Sequence, residues 1–264
     1  MTRLVVAAGQ AVPVVGDVAA NVARAAEMTR QAAARGARLL VLPEAFLTGY
    51  EPRAFEDTDA LPHEDDLAGD LLAPLRAAAD AAEVHVLVST PLHRSDGSVT
   101  LSLVLVGADG AAHAAYDKQH LDPTERAWFA PGGPGTSVVE VDGVPLGLAI
   151  CYDSRFPEHA AAAAEAGALA YVVSAAYLEG STRGRDVALA ARALDTGTHV
   201  VMAGALGECG GVPITGGSSV WGPEGHLLAS VADDDGALAL AVLDSDVVAE
   251  VRTRQTMHAD RRRS

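Results

Sequence analysis

The sequence predicts a layered α/β sandwich built around paired sheets, and three observations carry that prediction. Short apolar runs alternate with alanine-rich helical stretches along the 264 residues. Two pairs of those runs are joined at Asp109-Gly110 and Asp142-Gly143, which are hairpin turns. No linker and no shift of composition interrupts the chain, so residues 1–264 read as one domain. Hairpins mixed with helices throughout fit neither a simple alternating Rossmann pattern nor an all-β sandwich.

The elements follow in order. Residues 3–9 (RLVVAAG) form a buried first strand. Asp17 stands where an N-cap is needed for a helix to about residue 34, and Gly36 stops it. RLLVLPE (38–44) is a short apolar strand ending on Pro43-Glu44. The acidic stretch 51–66 is long enough for a functional loop, and a second helix follows over about 70–82. VHVLVST (84–90) leads into a hairpin of 99–107 and 111–117, whose second arm closes on Lys118. TSVVEV (136–141) pairs with VPLGLAI (144–150) and delivers Cys151. A helix near 157–166, a strand at 169–174 and a helix near 184–195 come next, then strands at 198–205, 216–221, 226–231 and 237–243. GGPG (132–135) and Gly210-Gly211 punctuate loops and lack the form of a phosphate loop.

Composition narrows the function. Hydrophobic residues make up 49% of the chain, ample for a core, and a net charge of −16 opposes nucleic-acid binding. The dense basic run Arg261–Arg263 reads as a solvated tail. No apolar stretch approaches the roughly 20 residues that span a bilayer, and the N-terminal run is too short for a signal peptide. Cys151 and Cys209 form neither a disulfide framework nor a zinc pattern, which points to a cytoplasmic protein with reduced thiols. Eighteen of the 19 basic residues are arginine; the exception is Lys118.

Glu44, Lys118 and Cys151 each fall where a predicted strand gives way to a loop, a common place for catalytic groups. Taken singly, each has an ordinary alternative: a solvated Glu, an edge-protecting Lys, a small buried Cys. Their surroundings are LPEAFLTGY (42–50), YDKQHLDPTERAWFAPG (116–132) and GLAICYDSRFPE (147–158). These three ordered motifs resemble those of the nitrilase superfamily of carbon–nitrogen hydrolases. The resemblance extends to ITGGSSVWGPEGHLLA, ending at residue 229.

The resemblance implies a four-layer α-β-β-α sandwich and a thiol-dependent hydrolase of small amides, with Glu44, Lys118, Cys151 and a second glutamate, Glu125, catalytic, the last orienting the lysine or the substrate amide. It places a pocket near Tyr50, Trp128, Phe129, Tyr152 and residues 174–177, with Ser174 and Ala175 among the substrate contacts. It also implies at least a homodimer, with residues 245–264 at the interface. An N-carbamoyl amidohydrolase is the alternative, with a nitrilase or a catalytically silent binding relative less favoured. No metal or cofactor is needed. The chemistry suits these residue types: a thiolate is a strong nucleophile, a carboxylate moves its proton, and a compact ammonium stabilises an oxyanion. A forked guanidinium does not replace such a point donor.

Further expectations concern the neighbours. Asp153, Arg155 and Glu158 read as a buried ion-pair set fixing the turn after Cys151, with His120 as a supporting hydrogen-bonder. Cys209 lacks an accompanying acid–base motif. The family often has a tryptophan after its SAA-like strand, whereas residues 178–194 contain none. Arg183 or Arg185 is a candidate for contacting a carboxylate, and Glu179 or Asp122 an amine. The acidic balance favours cationic substrates such as amino-amides.

Overall fold

The computed structural model describes residues 2–260, so the basic run 261–263 lies outside the described residues. The first half of the chain contains β1 (Arg3–Gly9), α1 (Val18–Ala34), β2 (Leu39–Val41), α2 (Ala73–Ala82), β3 (His85–His93), β4 (Val99–Val106) and β5 (Ala112–Asp117). The second contains β6 (Val138–Val141), β7 (Val144–Ile150), α3 (Pro157–Glu165), β8 (Ala170–Ala175), α4 (Thr182–Thr196) and β9 (His199–Gly204). It continues through β10 (Leu206–Cys209), β11 (Val212–Thr215), β12 (Ser219–Trp221), β13 (Leu227–Ser230), β14 (Leu238–Asp244), α5 (Ser245–Arg254) and α6 (Met257–Asp260).

Two six-stranded sheets result, ordered β14-β1-β2-β3-β4-β5 and β13-β12-β9-β8-β7-β6. Strand alternation sorts their side chains into layers. Leu4, Val6 and Ala8 of β1 and Leu101, Leu103 and Leu105 of β4 meet Leu146, Leu148 and Ile150 of β7 between the sheets. Ala7 and Leu40 face the other way, onto Val22, Ala25 and Met28 of α1 and Leu75 of α2. On the opposite side Ala149 and Tyr171 pack against Ala160 and Ala163 of α3 and Leu189 of α4. The architecture is therefore the four-layer α-β-β-α sandwich.

Local chemistry sets the boundaries. The Asp17 carboxylate accepts from the Ala20 N–H and starts α1 as an N-cap should. α2 begins at Ala73 rather than near 70, where Pro74 suits a first turn. The acidic segment after Glu51 folds into short 3-10 turns at Pro52–Ala54, Thr58–Ala60 and Glu64–Ala68. The strand expected over 216–221 starts only at Ser219, because Gly216 and Gly217 adopt φ of 55° and 79°. A side chain at Gly216 would press on the Gln10 amide, 2.5 Å away. Upstream of this break, β10 and β11 form a separate antiparallel hairpin turning at Gly210-Gly211, which the sequence did not reveal. β7 lies so close to α3 that a Cβ on Gly147 would stand 2.5 Å from the Ala163 methyl. That close packing seats the strand that ends at Cys151.

Candidate active site

Three strand ends from two sheets converge on one buried cluster. β2 is followed by Leu42, whose N–H bonds to Leu87 O, and Pro43 then turns the chain into Glu44. Lys118 follows β5, pinned by its N–H to Leu101 O and by Gly132 N–H to its own carbonyl, both 2.8 Å. Cys151 follows β7 and opens the 3-10 turn Cys151–Arg155 with φ of 41°, a left-handed conformation rare for a residue with a Cβ. Ser154 Oγ donates to Cys151 O at 2.7 Å, so the Tyr177 hydroxyl, 2.7 Å from Ser154 Oγ, donates to Ser154.

The Lys118 ammonium is buried and lies 2.7 Å from Glu44 Oε1 and 2.6 Å from Glu125 Oε1. Glu125 has two further donors: the Tyr50 hydroxyl reaches Oε1 at 2.8 Å and the Asp122 N–H reaches Oε2 at 2.7 Å. Among the described residues Glu44 has only the lysine on Oε1, and its Oε2 is buried without a hydrogen-bond partner. Two carboxylates facing one ammonium leave one negative charge uncompensated, and Glu44 has the fewer hydrogen-bond donors to hold it. Burial, reinforced by the Glu125 charge and opposed by Lys118, pushes the Glu44 carboxyl up to about 8. For Lys118, burial disfavours the charge, but Glu44 and Glu125 outweigh it and hold the ammonium charged. Burial and the Glu44 charge push the Cys151 thiol well up, while Lys118 and the Ala176 N–H pull the other way.

The cluster floors a cavity of about 460 Å³. Tyr50, Trp128 and Tyr152 line it with Lys118, Glu125 and Cys151. Ser174 and Ala175 do not. Both are fully buried within β8, where Ser174 Oγ donates to Leu42 O of the other sheet and Ala175 packs towards the helices. β8 ends before it reaches the cavity, and the next residues, Ala176 and Tyr177, supply the wall. Phe129 likewise belongs to the core, its ring 5.0 Å from Phe55, whereas Phe55 lines the cavity.

The ion-pair set expected after Cys151 does not form. Asp153 is buried on hydrogen bonds, His120 among its donors, and Glu158 is exposed. Arg155 instead lines the cavity, its guanidinium 5.4 Å over the Tyr177 ring, and makes no ion pair among the described residues. Arg185 is spent on Asp186 and Gly216 O, and neither it nor Arg183 or Glu179 lines the cavity. Asp122 does line it, with Oδ1 taken by Thr124. Cys209 is also part of the wall, carried there by the β10–β11 hairpin; burial raises its thiol to about 11. Position one turn past Cys151 was the available signal for Arg155, and Cys209 had none.

A family model described as carbon-nitrogen hydrolase matches residues 5–253. The chain belongs to the carbon–nitrogen hydrolase family. This hydrolase is 34% identical over 269 residues to the deaminated glutathione amidase of Escherichia coli O157:H7, covering 98% of this chain and 97% of that one. It is 32% identical over 249 residues to an (R)-stereoselective amidase of a Pseudomonas species, covering 94% and 87%. Among solved structures, the amidase of Nesterenkonia sp. AN1 in complex with acrylamide superposes with a TM-score of 0.79 at 26% identity, covering 98% of this chain and 97% of that one. Another structure of that amidase shows acrylamide added to its active-site cysteine. The present chain is accordingly a hydrolase acting on carbon–nitrogen bonds.

In such a site a free carboxylate oxygen beside a thiol can take its proton, and a fixed ammonium can meet an oxyanion. Two outcomes follow. Since Glu44 accepts a proton only when ionised, kcat/KM falls as pH drops through about 8; a midpoint near the ordinary glutamate value of about 4.3 contradicts this environment. Lys118→Arg lowers kcat/KM by about a hundredfold or more, close to Lys118→Ala, because the fork does not fit between two carboxylates. Near-normal steady-state rates in Lys118→Arg contradict the compact-donor requirement.

Proposed function

We propose that the protein is an amidase that hydrolyses a small aliphatic amide to carboxylate and ammonia through a thioester on Cys151. The observation that supports this most is the buried, partnerless Glu44 Oε2 on a carboxylate paired with Lys118, behind the cavity floor that Lys118 and Cys151 line. Glu44 takes the thiol proton as Cys151 Sγ attacks the amide carbon, and Lys118 with the N–H following Cys151 holds the oxyanion. The intermediate collapses as Glu44 passes that proton to the departing nitrogen, releasing ammonia. Water then attacks the thioester, losing a proton to Glu44; collapse frees the carboxylic acid and the sulfur, which recovers its proton. Glu125 keeps Lys118 in place and charged throughout.

Arg155 refines the substrate. A guanidinium without a carboxylate partner, held over Tyr177 in the cavity wall, favours an amide that also carries an anionic group. This local cation outweighs the acidic surface, which taken alone favours amino-amides. The N-carbamoylputrescine amidase of Solanum tuberosum, 28% identical over 279 residues, keeps the carbamoyl reading within the same test.

We also propose a single-domain cytoplasmic protein, homodimeric through the segment after Asp244, where Val247 and Met257 are exposed. Val247→Glu then shifts sedimentation from dimer to monomer, and a monomeric wild type removes the proposal. For the activity, ammonia release is measured across ω-amides of dicarboxylic acids, neutral amides, amino-amides, N-carbamoyl compounds and nitriles. Carboxylate-bearing amides lead, and Arg155→Leu lowers kcat/KM on them about 10- to 100-fold while sparing neutral amides. Turnover retained by Cys151→Ala overturns the thioester route, and no ammonia from any class points to a silent binding relative.

A further inference from the structure

We propose that Asp153 is a positioning residue, whose buried carboxylate fixes the Lys118 ammonium relative to the Cys151 thiol. The inference rests on the roles read above for those two residues. Asp153 touches neither the cavity nor the reacting atoms; it acts through the backbone that carries them.

Four donors converge on its two oxygens. Oδ1 accepts from the His120 N–H at 2.9 Å and from His120 Nδ1 at 2.8 Å. Oδ2 accepts from the Tyr116 hydroxyl at 2.7 Å and from the Ile150 N–H at 3.0 Å. Tyr116 and His120 stand two residues before and two after Lys118, while Ile150 immediately precedes Cys151. One fully buried carboxylate therefore grips the lysine's segment on both sides and the strand end that presents the nucleophile. The grip crosses from one sheet to the other, and it lies beside the left-handed backbone of Cys151.

The polarity of the surrounding network supports a permanent acceptor here. The Tyr171 hydroxyl is 2.8 Å from His159 Nδ1, and His159 Nε2 is 3.0 Å from the Tyr116 oxygen. With Tyr116 O–H committed to Asp153, His159 Nε2–H must donate to Tyr116, and Nδ1 must accept from Tyr171. Burial keeps both tyrosines protonated and His159 neutral, which this order requires. Every donor points toward Asp153. His120, Asp153 and His159 come close enough together to hold an ion, but His120 Nδ1 is bonded to Asp153 and the two ring nitrogens of His159 to Tyr116 and Tyr171. Asparagine in place of Asp153 presents two donor hydrogens where only donors face it, so the isosteric change breaks the grip without opening space.

The test compares Asp153→Asn and Tyr116→Phe with wild type on the best amide substrate, counting active sites by iodoacetamide titration of Cys151. Tyr116→Phe removes one donor and leaves the ring packed, so it decides the matter if Asp153→Asn does not fold. Displacing the lysine and thiol by a fraction of an ångström to an ångström lowers kcat per titrated site up to about 100-fold. KM stays within about twofold, since the cavity lining is untouched. A merely structural Asp153 lowers the unfolding midpoint but leaves kcat per titrated site at wild type; that result in both variants overturns the proposal. A raised KM with unchanged kcat overturns it as well. Lys118→Ala run alongside separates the two layers of inference. If it stays active, the underlying role of Lys118 fails. If it is dead while Tyr116→Phe and Asp153→Asn keep full kcat, only the positioning role of Asp153 fails.

Discussion

One ammonium between two carboxylates governs this molecule. Lys118 is buried with Glu44 at 2.7 Å and Glu125 at 2.6 Å. Such a cluster gives little net stability, because removing its charges from water costs about as much as their attraction returns. What it supplies is asymmetry. Glu125 is saturated with donors, whereas Glu44 keeps one oxygen empty, so a single side of the triad is available for proton transfer. The same imbalance holds the Glu44 carboxyl within reach of neutral pH.

The layers exist to make that cluster possible. An ammonium and two carboxylates can be buried only where surrounding atoms are fixed closely enough to keep every charge bonded. Apolar side chains from both sheets fill the central layer, and helices seal both outer faces. The exit of each strand is then a rigid mount, and the loops beyond it need only complete the cavity wall.

Much of this was written locally in the chain. The strand order of the sheets was not, but apolar runs, Asp-Gly turns and the Asp17 cap gave the elements, and Glu44, Lys118, Glu125 and Cys151 stood in motifs that the fold brings together. The misplacements are long-range in origin. Ser174 and Ala175 sit two and one residues short of the cavity wall, which begins at Ala176, and the Ser174 hydroxyl is turned to the Leu42 carbonyl after β2 of the other sheet. Arg155 read as a partner for nearby acids, yet hydrogen bonds from β5 and the following loop had already satisfied Asp153. Cys209 reached the wall on a hairpin hidden by glycine pairs at both its turn and its end. No local pattern encodes which distant backbone group a side chain will meet.

The origin of the cluster has one more consequence. Glu44 and Lys118 hang from one sheet and Cys151 from the other, with the Ser174 hydroxyl to Leu42 and the Asp153 carboxylate as stitches across the seam. On the roles proposed above, turnover works as a vernier on the alignment of the two halves. A slip along the seam too small to disturb any strand or helix would then be read out as lost rate, and residues far from the cavity would act as if they belonged to it.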